Sequence, residues 1–207
     1  MVTPPKGPLR RPAVPGFMGP LSILKVVEAT EKICGASASE ELLKSAQVFR
    51  LPAHDEPVRE TRVADLHAAL RREFPDKVEL IARLAGRLSA DFVMEHRMSQ
   101  RAQSMLQSMP WHISAWLLGR STELNSWTFA GSGKFSIVGR LDFEIEGNPV
   151  IKGQETDAPI CHYHAAQLER LFQKMVDVNL VCVETACAAA GDDHCHFSIR
   201  DGRSTLH

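Results

Sequence analysis

The stretch CHYHAAQLERLFQKMVDVNLVCVETACAAAGDDHCHF, residues 161–197, decides how the chain is read. Within it, HAAQLERLFQKMV sets Leu168, Leu171, Phe172 and Met175 at helical spacing. Two strands follow, over about 179–185 and 194–200, joined by a Gly-Asp turn at 191–193. The same segment gathers four of the five cysteines and four of the nine histidines. A helix that runs into a thiol-bearing hairpin supplies both a piece of fold and a candidate site.

Upstream, KFSIVGRLDFEIEG (134–147) alternates Phe135, Ile137, Leu141, Phe143 and Ile145 with polar residues, the period of a half-buried strand. Gly139 interrupts the series and predicts a bulge or a close approach. Glu146, Gly147 and Asn148 read as the next turn, and PVIKG as a short partner strand. Before Asn125 the pattern is helical. Helices are expected in SILKVVEATEKICG, with Ser22 as cap and Gly35 as stop, in SEELLKSAQ, over 62–74, from about 76 through 93, and in SQRAQSMLQSM and PWHISAWLLGRSTEL. LPAHDEPV, with two prolines, reads as a connection or an edge strand. The expectation is a single α/β domain of the α+β kind, with N-terminal helices packed on an antiparallel sheet. It divides into a disordered, Pro-rich tail (1–20), a mainly helical half (21–125) and a strand-rich half (126–207).

Composition narrows the function classes. With 207 residues, 44% of them hydrophobic, the chain buries a core comfortably. A net charge of −1 without a Lys/Arg run gives no support to a nucleic-acid partner. No segment approaches the roughly 20 apolar residues of a transmembrane helix, and prolines break any N-terminal signal core. An odd cysteine count without a secretory signal predicts reduced thiols and a cytoplasmic location, at most peripheral to a membrane.

Cys161, Glu184, Cys187 and Cys195 form a candidate four-ligand set, and three thiolates with one carboxylate suit zinc. On spacing alone, metal binding and a set of buried free thiols stand level. His162, His164, His194 and His196 flank the set as supports or solvated side chains. The Gly-Ser-Gly-Lys of WTFAGSGKF (127–135) is not a phosphate loop, because Thr128 stands where the first glycine belongs and Phe135 where Ser or Thr must follow the lysine. No G-x-G-x-x-G follows a strand, so a Rossmann-type nicotinamide or flavin site has no support.

The pattern Cys161, Glu184, Cys187, Gly191 and Cys195-His-Phe197 resembles the 4-vinyl reductase domain, a small-molecule-binding module found alone and in bacterial sensors. In aromatic-responsive activators of that kind a Cys, Glu, Cys, Cys set binds structural zinc, and all four positions are matched here. Together with LPAHDEPVRE, WTFAGSGKF and NPVIKG in this order, the chain resembles, over about 20–200, the 4-vinyl (8-vinyl) reductase family of bacteriochlorophyll synthesis. The resemblance implies a fold related to vesicle-tethering TRAPP subunits and haem-based nitric-oxide sensors, and a homodimer. It implies a chlorophyll-pathway Mg-tetrapyrrole as ligand, and pathway enzymes as partners beside the photosynthetic membrane. Two functions follow: a carrier that presents the tetrapyrrole for C8-vinyl reduction, or the reductase itself. The carrier is preferred, since hydride delivery needs a donor site. Trp111, Trp116, Trp127, Phe129 and Phe135 are the candidate pocket walls, with plain core packing as the alternative. His112 or His96 is the candidate axial ligand to Mg, and Arg97, Arg101, Arg120 or Lys134 the candidate partner of a propionate. Four protein ligands would leave zinc no open position, which makes the cysteine site structural.

Overall fold

The computed structural model describes residue 7 and residues 9–205, the side chains of 204 and 205 excepted. In chain order the elements are β1 (Phe17–Met18), α1 (Leu21–Cys34), α2 (Ala36–Ser45), β2 (Val58–Arg59), α3 (Glu60–Glu73), α4 (Val78–His96), α5 (Gln100–Ser108), α6 (Trp111–Leu124), α7 (Trp127–Ala130), β3 (Lys134–Ile137), β4 (Asp142–Glu146), α8 (His162–Met175), β5 (Leu180–Ala186) and β6 (Cys195–Asp201). Helices then pack on an antiparallel four-stranded sheet in the order β3-β4-β6-β5.

Two buried apolar clusters make the core. One joins α8 to the inner face of the sheet through Phe135, Phe143, Ile145, Leu168, Phe172, Phe197 and Ile199. The other lies among α1, α2, α3 and α4, around Met18, Ile23, Val26, Leu42, Leu66, Leu70 and Ile81. Between them α4 crosses α8 in backbone contact: a Cβ at Gly86 would overlap the Tyr163 carbonyl oxygen, so only glycine fits there. Tyr163 and Ser89 share a hydrogen bond of 2.7 Å across this crossing. Buried Glu169 ties α8 to Arg83 (3.2 Å) and Arg87 (2.9 Å) on α4, and accepts from the Cys182 amide of β5 (3.1 Å). A buried charge with three partners has replaced its lost hydration.

Several local expectations change. The run 134–147 is a hairpin rather than one strand: the Val138 and Gly139 amides both donate to the Asp142 carbonyl, and Phe135 pairs with Ile145. Gly139 is the close approach foreseen, since a Cβ would stand 2.7 Å from Asp142 Oδ2. PVIKG is a 3-10 turn over Pro149–Ile151, because Asn148 Oδ1 accepts from the Val150 amide and proline cannot donate to a sheet. Ser22 lies inside α1 and bonds back to the Gly19 carbonyl, while Gly35 ends the helix at φ 92°. Of the expected tail, residues 1–6 and 8 lie outside the described residues. Phe17 and Met18 pair with Arg59 and Val58, and Met18 is fully buried. The Gly-Ser-Gly-Lys loop is occupied by the chain itself, since Glu60 accepts from the Ser132 amide and hydroxyl.

Candidate functional site

Three elements converge on one point. Cys161 stands at the N-terminal end of α8, Glu184 lies in β5, Cys187 follows it, and Cys195 opens β6. A bulge between Glu184 and Ala186 shifts the β5–β6 register, and left-handed Gly191 (φ 97°) turns the chain back. A bulge re-aims side chains, so Glu184 and Cys187 face the same center. One ligand atom from each of the four residues lies within 4.8 Å of the others.

The distances suit a tetrahedral metal. Cys161 Sγ is 3.9 Å from Cys187 Sγ and 3.5 Å from Cys195 Sγ. A disulfide would need about 2.05 Å, whereas thiolates about 2.3 Å from zinc stand about 3.8 Å apart. Glu184 Oε2 accepts from the Cys161 amide at 2.7 Å, and its other oxygen is buried with no hydrogen-bond partner among the described residues. An orphaned carboxylate oxygen among three thiols is the donor set that a divalent cation completes. The Asn148 amide nitrogen lies 3.3 Å from Cys161 Sγ and 3.7 Å from Cys195 Sγ, and the Cys187 amide donates to Asp192 at 2.7 Å.

Electrostatics agree with the geometry. Burial pushes the Cys161 thiol up and the Glu184 carboxyl up to about 8. Cys187 moves down, since it accepts from the thiols of Cys161 and Cys195. Negative charge therefore gathers on one sulfur, and a dication is what lets all four groups ionise. Arg71, pushed down by burial and held up by Cys161, Cys187 and Glu184, is the neighbouring positive charge.

Beside this cluster, at the junction of the helices with α8, lies a cavity of about 270 Å³. Leu9, Pro20 and Leu21 close one side, and Val93, Leu118, Phe129 and Leu168 supply apolar wall. His54, Arg97, Thr122, Asn125, His164 and Gln167 bring polar groups. His164 joins cavity to cluster: Nε2 donates to the Phe129 carbonyl (3.1 Å), and Nδ1 faces the Asn148 amide (3.5 Å). Burial lowers its pKa to about 4, which keeps it neutral. His54 stacks on Phe92 at 5.0 Å and is pushed down by burial, and neither ring nitrogen has a hydrogen-bond partner among the described residues. Its backbone carbonyl accepts from Arg97 at 2.8 Å.

The structure divides the residues expected around a pocket. Phe129 lines the cavity, whereas Trp127 and Phe135 are buried in core packing, with Phe135 stacked on Phe143 at 5.6 Å. Trp111, His112 and Trp116 stand on the outer side of α6, and His112 and Trp116 edge an open groove against the β3–β4 turn. Their helix turns them away from the cavity, because α6 presents Leu118 and Thr122 to it instead. His96 stacks on Phe92 at 4.3 Å outside the lining. Arg97 does reach the cavity. Sequence reasoning missed His54, whose only signal was a histidine in a proline-flanked connection.

Comparison with known proteins places these features in context. The 4-vinyl reductase domain family matches residues 141–201. The bacteriochlorophyll synthase 23 kDa chain of Cereibacter sphaeroides is 38% identical over 190 residues, 91% of this chain and 92% of that one. Its counterpart from Rhodobacter capsulatus is 28% identical over 182 residues, 87% and 85% of the two chains. Among solved structures, an H-NOX protein from S. oneidensis in the Fe(II)NO ligation state superposes with a TM-score of 0.56 at 14% identity, over 88% of this chain and 98% of that one. This likeness bears out the expected nitric-oxide-sensor-like fold. No helix among the described residues is long and apolar enough to cross a membrane.

Proposed function

Because the chain belongs to the bacteriochlorophyll synthase 23 kDa chain family and so serves bacteriochlorophyll synthesis, we propose that it carries a chlorophyll-pathway Mg-tetrapyrrole. The ligand is of the divinyl protochlorophyllide or chlorophyllide type and is held for C8-vinyl reduction by a partner enzyme, beside the photosynthetic membrane. The observation that carries this reading is the cavity at the junction of the two halves, with a neutral imidazole whose ring nitrogens are unengaged, a guanidinium and apolar walls. Neutral His54 offers a lone pair to the axial position of a chelated Mg, Arg97 meets a propionate, and Phe129, Val93 and Leu168 pack against the ring.

Cys161, Glu184, Cys187 and Cys195 would hold zinc in this reading, and the orphaned Glu184 oxygen supports the assignment. With four protein ligands the metal supplies structure rather than chemistry. It pins the start of α8 to the β5–β6 hairpin and so fixes one wall of the cavity.

The test mixes purified protein with divinyl chlorophyllide and NADPH. A shifted tetrapyrrole absorption band without turnover is the expected result. Absence of any shift sinks the carrier reading, and vinyl reduction by the protein alone replaces it with an enzyme.

A further inference from the structure

Helix α6 is built with its large apolar residues outward. Its buried residues are Ser114, Ala115, Leu118, Gly119 and Thr122, all small or polar except Leu118. Trp111, Ile113, Trp116 and Leu124 are 49%, 40%, 58% and 82% exposed, the reverse of the usual helix on a core. Met105 on α5 and Val138 in the β3–β4 turn, 46% and 50% exposed, extend the face. These six are half of the twelve large hydrophobics exposed among the described residues, so the face is a patch rather than scatter.

Its charge is one-sided. From residue 97 to residue 122 the chain carries three arginines and no acidic residue. Glu123, the first acid beyond, is paired with Arg120 at 2.6 Å, and the Arg140 guanidinium reaches over the Trp111 ring at 5.7 Å. Indole has an apolar body and a polar N–H, which suits the boundary between hydrocarbon and headgroups, and arginine beside it suits an anionic headgroup.

We propose that the outer face of α6, with the β3–β4 turn, docks on an anionic lipid surface. The inference extends the carrier reading above, yet no residue of this face lines the cavity. The opposite side of α6 contributes Leu118, Ser121 and Thr122 to the cavity wall. One helix diameter, about 10 Å, would then separate headgroups from the ligand chamber. A flat apolar ligand would pass between the two without crossing bulk water.

Flotation of the full chain with vesicles tests this. The protein is expected to float with phosphatidylcholine–phosphatidylglycerol vesicles and at least about tenfold less with phosphatidylcholine alone. Tryptophan emission should shift to the blue on binding and be quenched by bromine-labelled lipid, because Trp127 is buried and Trp111 and Trp116 dominate the exposed signal. A Trp111→Ser, Trp116→Ser double variant should lose at least about tenfold of the flotation, and Arg140→Glu should weaken the preference for anionic vesicles. The idea is overturned if neither vesicle carries the protein, if the double variant floats as well as the parent, or if both tryptophans prove covered in a dimer in solution. Tetrapyrrole absorption, read without vesicles, separates the two proposals: its failure with flotation intact removes the carrier role and leaves the surface.

Discussion

The cysteine cluster and the cavity lie on either side of the start of α8, joined by His164 and Asn148, and they treat polar groups in opposite ways. In the cluster, donor atoms converge from three elements and are left short: one Glu184 oxygen has no partner, and three thiols press against one another. In the cavity, polar groups are satisfied locally. Thr122 donates to the Leu118 carbonyl, Asn125 to that of Ser121, and Thr128 to that of Asn125. An unsatisfied buried set calls for an ion and stabilises the fold on receiving it. A satisfied, apolar-walled chamber binds through shape and a few open groups, and the fold persists without its ligand. Stability should therefore respond to the first region and ligand affinity to the second.

The largest effect belongs to the cluster. Cys195→Ser, or chelation of the parent protein, should release zinc and lower the melting temperature by about 10 °C, corresponding to about 3 kcal/mol or more in a chain of this size. Calorimetry beside metal analysis reads both, and an unchanged transition would erase the contrast. Acid comes next. His67 is buried with Nε2 3.2 Å from the Ser22 carbonyl, and burial lowers its pKa to about 3. The folded value lies below the unfolded 6.5, so the stability it confers is complete above pH 6.5 and is lost as pH falls towards 3. The loss is about 1.4 kcal/mol per pH unit for this one group. Denaturant titrations between pH 7 and 4 should follow that trend, with a shallower slope in His67→Gln; an equal slope would remove His67 as its source. Asn148→Ala should cost about 1–3 kcal/mol, and about tenfold or more in metal affinity, by stripping the amide from two sulfurs. Tetrapyrrole binding that fell equally would show that the regions are one site.

What the sequence disclosed follows the same division. The four cluster residues were legible because a metal site leaves a signature of residue types at set spacings, held by a turn and a strand that the sequence also marks. The helix-then-sheet order was legible from periodicity. The hairpin at Gly139 was not, because both of its strands carry the same alternation and the turn interrupts it by only one residue. The chamber was less legible still. Apolar residues surround α6, so its pattern does not reveal that Ala115 and Gly119 face inward while Trp116 faces out. Trp111, Trp116 and His112 looked like pocket walls by type, and only the packing of α6 against α8 and β3 turned them outward. His54 lay in a segment without periodicity, where nothing local fixes direction.

His54→Ala gives the smallest effect on stability and so probes the comparison most finely. The ring stacks on Phe92 but bonds to no partner through its nitrogens among the described residues, so its loss should change the folding free energy by about 1 kcal/mol or less. The Arg97 contact survives, because it is made to the backbone carbonyl. Binding of a Mg-tetrapyrrole should nonetheless weaken by about tenfold, about 1.4 kcal/mol, and the absorption band should move towards that of a complex without nitrogen coordination. Added imidazole should restore the band by filling the vacated space, which separates lost ligation from a general loosening of the wall. If the variant binds as tightly and with the same spectrum as the parent, the axial position belongs to another group, and His164, the other histidine in the lining, is then the residue to change.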